Sequence, residues 1–279
     1  MSDQPPVFPL LDLQQVESSA GAVTHYRLAV TPQLSTPFAF LYGGSGIAAC
    51  AEASEQATGR PLQWITTQFL GSPAPGDVVD IEVVVAVEGR MTTQTQVSGR
   101  VGGELMFTSL CAHNIRPVGR VEPIASMPDV PPPEDCDEFA EPFADSDGSF
   151  FRQMSRRVAA GTIEVDGSDR VPSADGEAFA LWCRLHASET GSAATQGFVG
   201  DVGPLGVSAR LGMPLGGTSL DNTIRIVDAR PSEWVLLELD VDGFSRSVGH
   251  STVRIWAQDG RLLGLGQQSA LIRRSHHGR

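Results

Sequence analysis

Along residues 1–116 the apolar positions follow two different spacings. His25 to Val30 alternates as a strand does, Thr31 to Pro37 is a loop broken by Pro32 and Pro37, and Ile47 to Ala57 is an alanine-rich run of helix formers with Gly59 placed to stop it. Alternating, β-branched segments then recur at Gln63 to Leu70, Val78 to Val87, Thr92 to Val101 and Glu104 to Ile115, separated by Pro75-Gly76-Asp77, Glu88-Gly89 and Gly102-Gly103. One strand, one helix and four strands predict an α+β unit in which an antiparallel meander wraps a helix too apolar to stand uncovered.

Both spacings vanish over residues 117–148, where Pro131, Pro132 and Pro133 precede a run rich in aspartate and glutamate; this reads as a linker. From 149 to 279 the first pattern returns. Phe150 to Ala160 suits a strand or short helix, and Glu177 to Leu185 suits a strand. Ala193 to Leu211 fills the helix slot, interrupted by Gly197, Gly200, Gly203, Pro204 and Gly206. Strands follow at Ser219 to Val227, Trp234 to Val241, Ser247 to Ala257 and Arg261 to Arg273. The turns at Pro75 and Pro231 lie 156 positions apart (231 minus 75), so internal duplication is the simplest account.

A net charge of -13 argues against nucleic acid or an anionic membrane as partner, although a few local arginines suffice to hold a phosphorylated ligand. The four cysteines, Cys50, Cys111, Cys136 and Cys183, form no CxxC pair and predict reduced thiols. With no signal-like N-terminus and no stretch approaching the ~20 apolar residues of a membrane span, a cytoplasmic protein is expected. His25, His113, His186 and His250 are scattered, so neither metal nor other cofactor is implied. Glu52 and Glu55 lie one helical turn apart and suit a solvated helix face better than a second site.

Three local patterns carry a family resemblance. Tyr42-Gly43-Gly44 precedes the first helix, Asp201 sits within the second helix slot, and Gln258-Asp259-Gly260 is followed by Gln268 and Ala270-Leu271-Ile272-Arg273 on the last strand. Together with the duplicated order of segments, they resemble the acyl-CoA thioesterase II family over nearly the whole chain. The resemblance implies a double hotdog, two helix-wrapped meanders in one continuous sheet, with assembly of chains into homo-oligomers. It also implies an acyl-CoA substrate hydrolysed by water, with Asp201, a hydroxyl on the strand after the second helix, and Gln268 as the catalytic group. The hydroxyl position falls on Ser219, where the family has threonine, so the methyl that fixes the rotamer is missing. Alternation sends Thr218 to the opposite face.

Asp201 would act as base or orienter, while Gln268 and Ser219 grip the water without adding charge. Backbone N–H groups at Gly43, Gly44 and Ser45 would meet the thioester oxygen, and Arg90, beside a sheet turn, would contact coenzyme A. Arginines that the family carries before its sheet turns are unmatched, with Val87 at one such position. Cys111 and Ala112 occupy the region equivalent to Gln268, which suggests one active half. Taken alone, Asp201 beside Gly200 and Gly203 fits a helix cap, and Gln268 fits a buried structural network. Three rival readings stand beside hydrolysis: an acyl-CoA or lipid-binding hotdog without turnover, a structural scaffold with no ligand, and a hydratase, which is disfavoured because no aspartate is followed by histidine five positions later.

Overall fold

The computed structural model describes residues 8–16, 23–117, 124–139, 148–161, 179–211 and 217–272. The first half contributes β1 (Leu13–Val16), β2 (Val23–Ala29), α1 (Gly43–Thr58), β3 (Leu62–Phe69), β4 (Val78–Glu88), β5 (Thr92–Val101) and β6 (Glu104–Asn114). The second contributes β7 (Met154–Ala160), β8 (Phe179–Leu185), α2 (Ala193–Val199), α3 (Gly203–Leu211), β9 (Gly217–Ile226), β10 (Val235–Ser245), β11 (Val248–Ala257) and β12 (Leu262–Ile272). The strands join in one sheet in the order β1-β2-β4-β5-β6-β3-β9-β12-β11-β10-β8-β7. This is the double hotdog.

The two meanders meet edge to edge at β3 and β9, which closes two edges that would otherwise present unpaired backbone groups. At this seam Thr66 lies opposite Thr223, and their hydroxyls are hydrogen-bonded to each other. The repeat is read most sharply here. Ile65 pairs with Cys111 as Asn222 pairs with Gln268, and both second-half residues lie 157 positions after their counterparts (222 minus 65, 268 minus 111).

Helix α1 begins at Gly43, four residues before the alanine run, and stays buried from Gly44 through Glu55. A helix apolar on every side can only be covered on every side. The sheet and α2 provide that cover. Gly59, in a left-handed conformation at φ 62°, ends α1 with its N–H on the Glu55 carbonyl at 2.8 Å. The solvated face expected for Glu52 and Glu55 is not found: the two side chains are 4% and 7% exposed. Glu52 accepts from the Phe8 N–H at 2.9 Å and Glu55 from the Leu62 N–H at 2.8 Å, so neighbouring chain segments cover both.

Phe150 to Ala160 is a short 3-10 turn followed by β7. Of the acidic segment, Ala125, Met127, Val130 and Cys136 pack with Trp182, Trp234 and Trp256 in a cluster separate from the main core, which Phe139 enters. Trp182 Nε1 donates to the Pro131 carbonyl at 2.9 Å. The proline-rich run therefore covers tryptophan surface rather than hanging free, and Pro131, which cannot donate, still accepts. None of the four cysteines is in a disulfide. Among the described residues no helix is long and apolar enough to cross a membrane.

Candidate active site

The site is organised by the break between α2 and α3, at Gly200-Asp201-Val202. Pro204 enforces the break, because its ring would clash with the carbonyl four residues back if one helix ran through, yet in the first turn of α3 it is tolerated. Gly203 opens α3, and its N–H donates to Gln268 Oε1 at 2.7 Å. A Cβ at Gly203 would overlap that oxygen, so glycine is what allows the glutamine amide to reach the helix start.

With Oε1 committed to the helix, the Gln268 amide nitrogen turns to Asp201. Gln268 Nε2 donates to Asp201 Oδ1, and it donates to Ser219 Oγ at 2.7 Å. Ser219 Oγ in turn donates to Asp201 Oδ1 at 3.1 Å, and Asn222 Nδ2 donates to the same oxygen at 3.3 Å. Three side-chain donors therefore converge on Oδ1. Oδ2 points elsewhere, towards Gly43 at the start of α1, where a Cβ would stand 2.5 Å from it.

Ser219 and Asn222 reach the same carboxylate because β9 is irregular between them. Asp221 lies opposite Ser269 and Ser219 opposite Ala270, so Leu220 is an extra, bulged residue. The same skip occurs in the first half, where Leu62 faces His113 and Trp64 faces Ala112, leaving Gln63 over.

Asp201 is 6% exposed, and burial pushes its carboxyl above the ordinary aspartate range; the donors from Gln268, Ser219 and Asn222, with the Gly44 backbone N–H, oppose that rise. The arrangement holds a desolvated carboxylate fixed by neutral donors, which is the environment of a proton acceptor rather than of an ion pair.

From Asp201 a groove runs outward, lined by Gly43, Phe69, Phe150, Val202 and Ser219 among others. Tyr42 joins its wall to the helix break: the phenol donates to the carbonyls of Asp201 at 2.9 Å and Phe198 at 3.1 Å. A residue of the first half thus fixes the backbone that carries Asp201 in the second.

Of the residues singled out from the sequence, Asp201, Ser219 and Gln268 come together, with Gly43 and Gly44 beside them. Ser45 and Arg90 do not join them. Ser45 is fully buried, with its backbone N–H on the Tyr42 carbonyl at 2.9 Å and its hydroxyl on the Leu34 carbonyl, and Arg90 stands exposed on the turn between β4 and β5, outside the groove lining. Gln268 and Ser219, expected to hold the water directly, spend their donors on Asp201 instead. Thr218, expected on the opposite face, also lines the groove.

Asn222 and Tyr42 were not legible as site residues. A polar residue three positions from Ser219 belongs on the other face of a regular strand, and only the bulge reverses this. The first-half equivalents of the strand residues Ser219, Asn222 and Gln268, each 157 positions earlier, are Leu62, Ile65 and Cys111. None of these carries a side-chain hydroxyl or amide, so the strand donors that meet Asp201 have no counterparts at the equivalent first-half strand positions.

Comparison with known proteins bears on this arrangement. Residues 133–272 match the acyl-CoA thioesterase C-terminal domain and residues 31–113 the acyl-CoA thioesterase N-terminal domain. Curated protein sequences give no match. Among solved structures, a protein assigned as a thioesterase from Novosphingobium aromaticivorans is 28% identical, with a TM-score of 0.80 over 96% of this chain and 100% of its own. The tesB protein of Mycobacterium avium subsp. paratuberculosis (18% identity, TM-score 0.73, 94% of this chain and 96% of its own) shares the fold. So does the acyl-CoA thioesterase II TesB2 of Mycobacterium marinum (17%, 0.69, 94% and 96%). With both domains of the family matched in order along a double hotdog, the chain belongs to the acyl-CoA thioesterase family.

Proposed function

We propose that the protein hydrolyses acyl-CoA thioesters, with Asp201 activating the attacking water and Ser219, Asn222 and Gln268 fixing that carboxylate in place. The observation that carries this reading is the convergence of three neutral donors on Asp201 Oδ1, which leaves Oδ2 aimed at the start of α1 beside the groove. A carboxylate used only as a helix cap has no need of a second strand's amide and a bulge to aim a hydroxyl at it.

Water held at Oδ2 gives up its proton there as its oxygen adds to the thioester carbonyl, and the carbonyl electrons move onto oxygen. The first N–H of α1, at Gly43, is suited to meet that oxyanion, because helix starts leave donors without intrahelical partners and glycine lets a ligand approach the backbone. Collapse of the tetrahedral species expels the coenzyme A thiolate, which takes up the proton, and the free acid leaves. No residue need be acylated. Burial that raises the Asp201 carboxyl also makes the carboxylate a stronger base, which suits it to this step.

The test is release of free thiol and free acid, in equal amounts, from a panel of short, medium and long acyl-CoAs. Thiol release with matching acid supports hydrolysis. Saturable binding of the same thioesters without release would favour the second reading, a binding protein without turnover, which the serine in place of threonine at position 219 keeps in play.

A further inference from the structure

Seven of the 22 described residues that line the groove are aromatic, in a chain whose aromatic content is 6%, so the lining is not a sample of the protein's apolar residues. The enrichment begins at the reacting centre. Phe69 Cζ and Asp201 Oδ2 lie 3.2 and 2.5 Å from the single point where a Cβ of Gly43 would stand, so a ring edge borders the carboxylate itself. Tyr42 stacks on Phe150 with centroids 3.7 Å apart and planes at 5°, and Phe150 continues onto Phe151 at 4.2 Å.

Phe38 and Phe40 add a second pair, with nearly parallel rings, 15° between planes and 6.4 Å between centroids. Both project from a tight loop in which Ala39 N–H donates to the Thr36 carbonyl at 3.0 Å and Thr36 N–H to the Phe40 carbonyl at 2.7 Å. Ala39 within it has φ 58°, a left-handed conformation that costs a residue with a Cβ free energy and persists where surroundings dictate it. That strained loop holds Phe38 59% exposed at the groove. A large aromatic side chain kept in water by a strained turn, beside a groove, marks a surface that a ligand covers.

We infer that the groove selects acyl groups carrying a planar aromatic ring close to the thioester carbonyl. The inference rests on the acyl-CoA reading above. Ring-to-ring contact in stacked or edge-on geometry adds attraction beyond the area buried, whereas an unbranched chain in the same groove gains from area alone. The ring that borders Asp201 favours a ring near the carbonyl over one at the end of a long tail, since Phe69 stands beside the place where a thioester carbon would meet a water held at Oδ2.

The experiment compares phenylacetyl and octanoyl groups, matched in carbon number, in two ways. Dissociation constants are measured for coenzyme A thioethers in which a methylene replaces the carbonyl, and kcat/KM for the corresponding thioesters, with wild type, Phe69→Leu and Phe40→Leu. Leucine keeps the groove apolar and removes only the ring. Expected is about three- to tenfold tighter binding of the phenyl compound to wild type, falling towards parity in the leucine variants. Equal or tighter binding of the octanoyl compound, or leucine variants that shift both compounds alike, overturns the inference. If octanoyl-CoA is bound and hydrolysed without ring preference, the acyl-CoA reading stands and only this inference fails. If neither compound binds, both fail.

Discussion

Ser219 and Asn222 point into the same site from one strand although three positions separate them, because Leu220 is bulged out of register between them. The hydroxyl of Ser219 therefore depends on the bulge for its direction and on Gln268 for its rotamer.

Ser219→Ala should lower kcat by about ten- to a hundredfold, the scale of one lost hydrogen bond to a charged group at about 1.5–3 kcal/mol. Ser219→Thr should retain or raise kcat, since the added methyl restricts the rotamer in the direction already used. Steady-state rates of both variants check this, and a Thr variant as impaired as the Ala variant would contradict the role given to the hydroxyl.

Two glycines are predicted to be irreplaceable for activity but not for folding. A Cβ on Gly43 would stand 2.5 Å from Asp201 Oδ2, and one on Gly203 would overlap Gln268 Oε1. Gly43→Ala and Gly203→Ala should each cut kcat by at least about tenfold, the effect of displacing a reacting group by a fraction of its contact distance. Circular dichroism of both variants should match wild type; unfolding of either would show that the glycine serves packing instead.

The acid limb of the rate profile should report Asp201. Its carboxyl titrates above the ordinary aspartate range because burial outweighs the donors, and in the proposed mechanism the ionised form acts, so kcat should fall as pH drops through that raised value. Asn222→Ala removes a donor that favours the charge. Its acid limb should move to higher pH, and a shift to lower pH would contradict the direction assigned to that bond.

Glu52 and Glu55 give a pH effect on stability that is separate from catalysis. Burial raises both carboxyls to about 7 from 4.5. A raised folded-state value means that the folded form holds its protons more tightly than the unfolded one. The resulting stability is complete below pH 4.5 and is lost as pH rises through about 7. The loss is on the order of 3 kcal/mol per group. Melting temperatures across that window should fall for wild type and fall less for Glu52→Gln or Glu55→Gln; equal slopes would show the two carboxyls to be solvated.

Much of this was legible beforehand, for reasons that differ by element. Alternation and turn residues reveal strands wherever one face is buried, and the repeat in the turns exposed the duplication, so the double hotdog could be read from the chain. Asp201, Ser219 and Gln268 came from the family resemblance rather than from the pattern itself, and their side chains meet in the fold. Asn222 could not, because a bulge leaves no mark on composition, and neither could Tyr42, whose phenol acts on carbonyls 156 and 159 positions away. The buried state of Glu52 and Glu55 was equally hidden: charge predicts exposure until another segment supplies an N–H, and in both cases one does.

The central claim is that Asp201 drives thioester hydrolysis. Thiol release from the best acyl-CoA substrate should be compared between wild type and Asp201→Asn, with folding of the variant verified by its melting curve and its binding of the thioester. The account predicts a loss of at least about a hundredfold in kcat with binding retained. An Asp201→Asn protein that releases thiol at the wild-type rate would contradict it.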